Sequence, residues 1–323
     1  MNIQQSPAVA ILLPTYNGTR FIETQLESLT RNSTPFTLHW LDDHSTDNTR
    51  EAVRALAQSL GIKLVEWHQP EHLGVPGTFF QLLECVDADI YLFCDQDDIW
   101  QPGKIDATVA NLLPDVAAPV LCFSDFLLFY EDAPETFYRM TDVLGLRLPA
   151  ALEVSRALTS PPPAGSTTGF TRPLREIYLR HKDIARAYAV MHTWWMYLIA
   201  VACGTHRMLS DVPTTLYRRH GNNVTSRYIG RGLVGRLISN WRLQQWLRRG
   251  VARQAEGFIL AAPTLTPGPK LERLLAIAPF VATLHRRQSP VTLMRLARRG
   301  AMLSKRRNTL LLATACLWSD AKP

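Results

Sequence analysis

Short apolar runs alternate with stretches of helical spacing through the first hundred residues, and that alternation leaves few architectures open. Residues 8 to 13, Ala-Val-Ala-Ile-Leu-Leu, read as a fully buried first strand, broken by Pro14-Thr15-Tyr16-Asn17-Gly18. Phe21, Ile22, Gln25, Leu26 and Leu29 then share one helical face. A second strand, Phe36 to Leu41, runs into Asp42-Asp43-His44-Ser45-Thr46-Asp47. Val53, Leu56, Ala57 and Leu60 follow at helical spacing, with Asp47 as N-cap. Ile62 to Trp67 gives a third strand, Thr78 to Val86 a further helix, and Ile90 to Phe93 a fourth strand. Such a series builds a parallel sheet flanked by helices and joined by right-handed crossovers. Beyond Trp100 the spacing predicts a helix over Lys104 to Leu113, a strand over Val120 to Phe123 and a buried helix over Trp194 to Cys203. Glu131 to Pro163 has no clear pattern, and its Pro161-Pro162-Pro163 reads as a stiff connector.

Three carboxylates, Asp95, Asp97 and Asp98, follow the fourth strand within four positions. Clustered carboxylates repel one another, so they require a bound cation, protonation or full solvation. The end of a parallel strand is also where open α/β sheets place ligands. A hard divalent ion held by one or two carboxylates and completed by substrate phosphates suits this pattern. A solvated acidic turn is the alternative that the cluster alone leaves open.

The net charge of +7 averages two unlike parts. From Thr225 onward there are 18 Lys and Arg against 3 Asp and Glu; the first 224 residues hold 17 against 25. Arg227 to Leu260, Leu271 to Leu284 and Val291 to Leu303 read as basic amphipathic helices. Apolar residues interleave with Arg286-Arg287, Arg298-Arg299 and Lys305-Arg306-Arg307, and no nucleic-acid motif appears. An anionic membrane surface suits such helices, and packing on the main domain with solvated arginines is the other reading. The five cysteines (Cys85, Cys94, Cys122, Cys203 and Cys316) are scattered without a C-x-x-C pair, which predicts a reduced, cytoplasmic chain without a zinc site. No signal-peptide pattern and no run of about 18 apolar residues is present. The expectation is a cytoplasmic protein, peripheral on the inner membrane face at most.

Six stretches in order carry a resemblance: Leu13 to Gly18, Asp42 to Thr49, Leu73-Gly74-Val75, Phe93 to Trp100, His192-Thr193-Trp194-Trp195, and Tyr217 to Asn223. Together they resemble the family-two nucleotide-sugar glycosyltransferases, most closely the bacterial rhamnosyltransferase-like branch. The resemblance covers about residues 8 to 225 and implies the GT-A fold, a Rossmann-like mixed α/β sheet flanked by helices, with a basic helical extension. It implies a transferase domain over 1–225, with a nucleotide half (1–103) and an acceptor half (104–225), and a tail over 226–323. It implies Asp97 as the main ligand of Mg²⁺ or Mn²⁺, Asp95 near the metal or the sugar, and His220 as a further ligand. Asp42 or Asp43 would accept the N3–H of a uracil or thymine base. Pro14, Thr15, Tyr16 and Asn17 would lie along the nucleotide, Gly74 would permit a close backbone approach, and Arg218 or Arg219 would meet the diphosphate.

One position departs from the branch. Its His-Asp-Trp-Trp motif carries the general base, and here Thr193 stands in place of that aspartate. A threonine hydroxyl is no base near neutral pH, and general-base help is typically worth about 10²–10⁴-fold in rate. His192 or another acid takes over, or the chain is a sugar-nucleotide-binding pseudoenzyme or scaffold, or it carries an inactivating change. The reading that follows is an inverting, metal-dependent transferase using a UDP- or dTDP-sugar, with rhamnose one possibility. Its acceptor would be a saccharide or lipid-linked saccharide in surface polysaccharide synthesis, with no nucleic-acid partner.

Overall fold

The computed structural model describes residues 6–144, 154–159, 164–209, 212–220 and 248–283. The alternation read from the sequence is present as β1 (Val9–Thr15), α1 (Ile22–Leu29), β2 (Thr37–Asp42), α2 (Thr49–Ser59), β3 (Leu64–Trp67), α3 (Gly74–Cys85) and β4 (Ile90–Phe93). β1 lies between β2 and β4, parallel to both, and β3 pairs parallel with β2. Side chains along β1 alternate between two cores, as a strand's period of two requires. Ala10 and Leu12 join α3 on one side, while Ile11 and Leu13 join α1 and α2 on the other.

β1 does not break at Pro14, as the sequence suggests, but pairs with β2 through Thr15. The carbonyl of Thr15 turns to β2, where it accepts Asp43 N–H at 2.7 Å, so Pro14 faces β4. There the last ladder bond runs from Cys94 N–H to the Leu12 carbonyl at 3.0 Å. Proline has no N–H with which to continue it. Pro14 therefore ends the β1–β4 pairing and opens a crevice without ending the strand.

The chain continues through β5 (Ile99–Trp100), α4 (Lys104–Leu112), β6 (Val120–Phe123), β7 (Phe126–Tyr130), β8 (Ala133–Arg139) and α5 (Met140–Leu144). β9 (Thr168–Thr171), α6 (Arg172–Leu179), α7 (Lys182–Tyr188), α8 (His192–Cys203), β10 (Thr205–Met208) and β11 (Thr215–Arg219) follow. The main sheet has the order β10-β6-β9-β4-β1-β2-β3. It is mixed, because β9 runs antiparallel between β4 and β6. Gly169 allows this insertion: a Cβ there would run into Thr108 of α4. A second sheet has the order β5-β11-β7-β8. The segment Tyr217 to Arg219 is the second half of β11, paired parallel with β7; β5 pairs on the other side of the strand only at Thr215 and Leu216.

α8 is buried from His192 to Ala202. Three helices of the basic tail pack on it: α9 (residues 248–261), α10 (Pro269–Leu275) and α11 (Ala278–Ala282). Val251, Ala255, Phe258, Leu271, Leu274 and Val281 belong to the same apolar cluster as Trp195 and Ile199. The apolar faces of these helices thus meet protein. Pro161-Pro162-Pro163, Asn222 and Asn223, residues 227–247 and the predicted helix over Val291 to Leu303 lie outside the described residues.

Candidate active site

The C-terminal ends of β1, β2 and β4 meet at one edge of the main sheet, and the acid loop leaves β4 there. Asp98 is 0% exposed and accepts Arg218 N–H at 3.2 Å, which fastens the loop to β11. Asp97 turns outward to His220, whose Nε2 lies 2.8 Å from Asp97 Oδ2. Phe21 packs against the imidazole at 4.5 Å between ring centres. The Arg218 side chain reaches the same loop, with Nε donating to the Asp97 carbonyl at 3.0 Å and the guanidinium between the rings of Phe21 and Phe129. Successive residues of a strand point to opposite faces. Arg218 and His220 therefore share the face that meets the acid loop, and Arg219 faces away from it.

Burial, reinforced by the charge of Asp97, pushes the Asp95 carboxyl up to about 7 and Asp98 well above the usual carboxylate range. Beneath them lies Lys104, 2% exposed, with Nζ donating to the Ser166 carbonyl and, at 2.5 Å, to Thr215 Oγ1. A backbone hydrogen bond from Ser166 in turn lowers the Asp95 pKa, countering part of the rise.

Across the crevice, Tyr16 is 47% exposed and its ring leans on His72 at 4.8 Å. Thr15 is buried, accepting Trp40 Nε1–H at 2.9 Å and donating to Asp42 Oδ1 at 3.0 Å. Asp42 also accepts Ser45 Oγ–H and Arg50 Nε–H, each at 2.6 Å. Burial works to raise its pKa, but these bonds outweigh burial and leave it below the usual value. Asp43 accepts Leu73 N–H at 2.8 Å, Gly74 N–H at 2.7 Å and the Gln69 amide, with His72 Nδ1 3.0 Å from Oδ2. Both carboxylates thus order loops of this rim. Gly74 stands at φ +61°, which favours glycine. Asn17, at φ 47°, accepts Thr46 N–H at 2.8 Å and holds the first two loops together.

His192 and Thr193 are buried at the start of α8. The imidazole stacks on Phe79 at 3.7 Å and meets Phe93 edge-on at 4.5 Å. Burial lowers its pKa to about 3, so it is neutral near pH 7. Gly165 is adjacent to both residues and to Asp95. The structure therefore groups Asp97, His220 and Arg218 on one side, and Asp95, His192 and Thr193 on the other. Sequence reasoning passed over Gln96, Lys104 and Gly165. Gln96 stands inside the acid motif, a signal that could have found it; a lysine at the start of a helix and a glycine beside an unpatterned stretch give none.

Residues 10–126 match the sequence model of Glycosyl transferase family 2. The chain carries a family 2 glycosyltransferase domain. It is 26% identical over 220 residues to the dTDP-rhamnosyl transferase RfbG of Shigella flexneri, covering 65% of this chain and 72% of the relative. Among solved structures, S. aureus TarS (residues 1–349, in complex with UDP) superposes with a TM-score of 0.53 at 14% identity, covering 97% of this chain and 90% of that one. The mannosyltransferase PcManGT from Pyrobaculum calidifontis, in complex with GDP-Man and Mn²⁺, gives 0.53 at 17% identity, covering 98% and 89%. The fold is the GT-A fold of these transferases. No helix among the described residues is long and apolar enough to cross a membrane.

Proposed function

We propose that this glycosyltransferase moves a sugar from a UDP- or dTDP-sugar to a saccharide hydroxyl with inversion, with the donor diphosphate held through a divalent cation at Asp97 and His220. The observation that carries the reading is the Asp97–His220 pair, set at the outer side of three carboxylates where parallel strands end. A carboxylate and an imidazole suit Mn²⁺, and Mg²⁺ would lean on the carboxylate. Among the described residues no three acidic, His or Cys side chains converge as a ready metal centre. That fits an ion bound by one or two side chains, with phosphate oxygens and water as its other ligands. The bound ion would stabilise the negative charge that develops on the leaving diphosphate.

The chain's own residues supply the rest. Arg218 is a cation whose Nε donates to the Asp97 carbonyl, which supports a contact between its guanidinium and a diphosphate oxygen. Tyr16 offers an exposed ring to the pyrimidine, and Asp43 holds the 69–74 loop beside it. Thr193 has no basicity, and a histidine with a pKa near 3 is a weak base at neutral pH. His192 and Thr193 are therefore hydrogen-bonding groups in this reading. The likeness to RfbG supports a dTDP-sugar, with rhamnose first among the sugars to try. A lipid-linked acceptor would bring the basic tail to an anionic membrane surface.

Thermal shift of the full chain with UDP-glucose, dTDP-rhamnose and GDP-mannose, each with and without Mn²⁺, tests the proposal. At least one nucleotide sugar should raise the midpoint in a Mn²⁺-dependent way, and Asp97→Ala should remove the rise. Equal shifts in wild type and D97A would refute the metal role. Measured product formation then separates a transferase from a binder, the reading that Thr193 would favour if turnover were absent.

A further inference from the structure

The second sheet ends in an open edge. β8 (Ala133–Arg139) is its last strand, and among the described residues no strand pairs beyond it. Residues 134–138 are exposed, with Phe137 at 46% and Tyr138 at 45%. Phe137 lies opposite Phe129 of β7 and Tyr138 opposite Leu128, so the two rings stand on opposite faces of the edge. Tyr130 adds a third exposed ring, 6.1 Å from that of Tyr138 between centroids. Open strand edges are normally kept from pairing by brevity, proline or unfavourable charge. Here the strand has seven residues, its proline stands at the second position, and its two charges, Glu135 and Arg139, are of opposite sign.

Those charges are placed symmetrically, with Glu135 two positions before Phe137 and Arg139 two positions after it. Side chains two apart share a face, so all three project on the side of Phe129, whose ring packs against the Arg218 guanidinium. In an antiparallel pair of two such strands centred on Phe137, Glu135 faces Arg139 of the second copy at both ends. Thr136 then faces Tyr138, and the two Phe137 rings meet in the middle. A parallel in-register pair would instead set glutamate against glutamate and arginine against arginine. Among the described residues Glu135 makes no ion pair; Arg139 Nε is 3.1 Å from Asp125 Oδ2, with 38% of its side chain still exposed. The edge is therefore complementary to itself, which selects a second copy of this chain as its occupant. We propose that two copies pair through β8, antiparallel and centred on Phe137, and join their four-stranded sheets into one continuous sheet. The twofold axis of such a pair stands perpendicular to the sheet, so the Arg218 faces of both copies open on the same side. Five strand spacings, about 24 Å, separate the two β11 strands.

Sedimentation equilibrium of the full chain over about a hundredfold concentration range should show a monomer–dimer equilibrium. Phe137→Lys sets two ammonium groups together on the axis and should weaken dimerisation about tenfold or more, leaving the thermal midpoint of the dilute chain unchanged. Glu135→Arg meets Arg139 twice per dimer and should act likewise; it decides alone if Phe137→Lys fails to fold. Cross-linking reads the register, because directly opposed antiparallel residues have Cα atoms about 4.5–5.5 Å apart, within reach of a disulfide. Under mild oxidation Phe137→Cys should form a covalent dimer beyond any that the wild-type cysteines give. Tyr138→Cys alone should not, and a mixture of Thr136→Cys and Tyr138→Cys chains should. A wild type that stays monomeric overturns the proposal, as does a dimer that survives both charge substitutions or one that links through Tyr138→Cys alone. Monomer binding to phosphatidylglycerol vesicles that Phe137→Lys abolishes would also overturn it, assigning the edge to a membrane instead.

Discussion

An ammonium group under the acid loop is the least expected feature at the scale of single residues. Lys104 Nζ lies 4.1 Å from the centre of the Trp100 ring and gives its hydrogen bonds to Ser166 and Thr215. Burial lowers its pKa to about 7, although the charges of Cys94, Asp98 and Asp95 act to raise it. Lys104→Met would take one donor from the Thr215 hydroxyl and one from the Ser166 carbonyl, which would keep only the Thr215 hydroxyl at 3.2 Å. The expected loss is about 3 kcal/mol at pH 8. Its pH dependence is specific. Between pH 7 and the ordinary lysine value of 10.5, the unfolded chain holds a proton that folded Lys104 has released, so unfolding becomes harder as pH rises. Urea denaturation at pH 6, 8 and 10 should show the wild type gaining on K104M across that range. A gap that stays flat or narrows would mean that Lys104 stays fully charged when folded.

At the scale of elements, the site depends on two strands that part company. β1 and β4 are zipped to Leu12 and Cys94, and Pro14 ends the ladder. Beyond it a side chain takes over: Gln96 Oε1 accepts Tyr16 N–H at 2.9 Å, and Gln96 Nε2 donates to the Tyr16 carbonyl at 3.0 Å. This amide clasp ties the tyrosine rim to the acid loop across the crevice, and Gly18 leaves room for it, since a Cβ there would collide with the Gln96 amide. Gln96→Ala should weaken UDP or dTDP binding with Mn²⁺ about tenfold, because two bonds of about 1 kcal/mol each no longer preorganise the rim. Calorimetry should show this with the thermal midpoint moved by only a few degrees; unchanged affinity would mean the two lips are set independently. The clasp also shows where the sequence was legible. Strands β1 to β4 and the acid loop follow local patterns of apolar spacing and charge, so their positions could be read directly. β9 could not, because Thr-Gly-Phe-Thr has neither length nor periodicity, and its place between β4 and β6 is fixed only by tertiary pairing. The loops around Asp42 and Asp43 were placed correctly at the rim, but the contacts that occupy both carboxylates lie up to 31 positions away in sequence.

For the whole molecule, the question is what the basic tail holds together. One core lies between the main sheet and α1, α2 and α4; the other lies under α3, α6, α8 and the tail helices. In the second core α8 is buried on every side, and α9 to α11 supply part of that cover. The contact is close. Gly257 sits where a Cβ would strike Tyr188, Val190 N–H donates to Gln254 Oε1 at 3.1 Å, and Arg253 reaches the Ala189 carbonyl at 3.1 Å. Charge patterning marked this region as separable at residue 225, but its apolar stripe packs on α8, the helix that begins with His192 and Thr193. Each buried Val, Leu or Phe side chain contributes about 1.5–3 kcal/mol, and the tail brings several such side chains against a net stability of about 5–15 kcal/mol. A chain ending at residue 225 should therefore fail to fold cooperatively, even though it retains every family motif. Phe258→Ala, which empties a fully buried position, should cost about 3–5 kcal/mol and lower both the thermal midpoint and nucleotide-sugar affinity at a given temperature. Denaturation monitored together by fluorescence and circular dichroism checks both. A 1–225 fragment that unfolds in one sharp transition at the midpoint of the full chain would show that the tail only rests on the transferase domain.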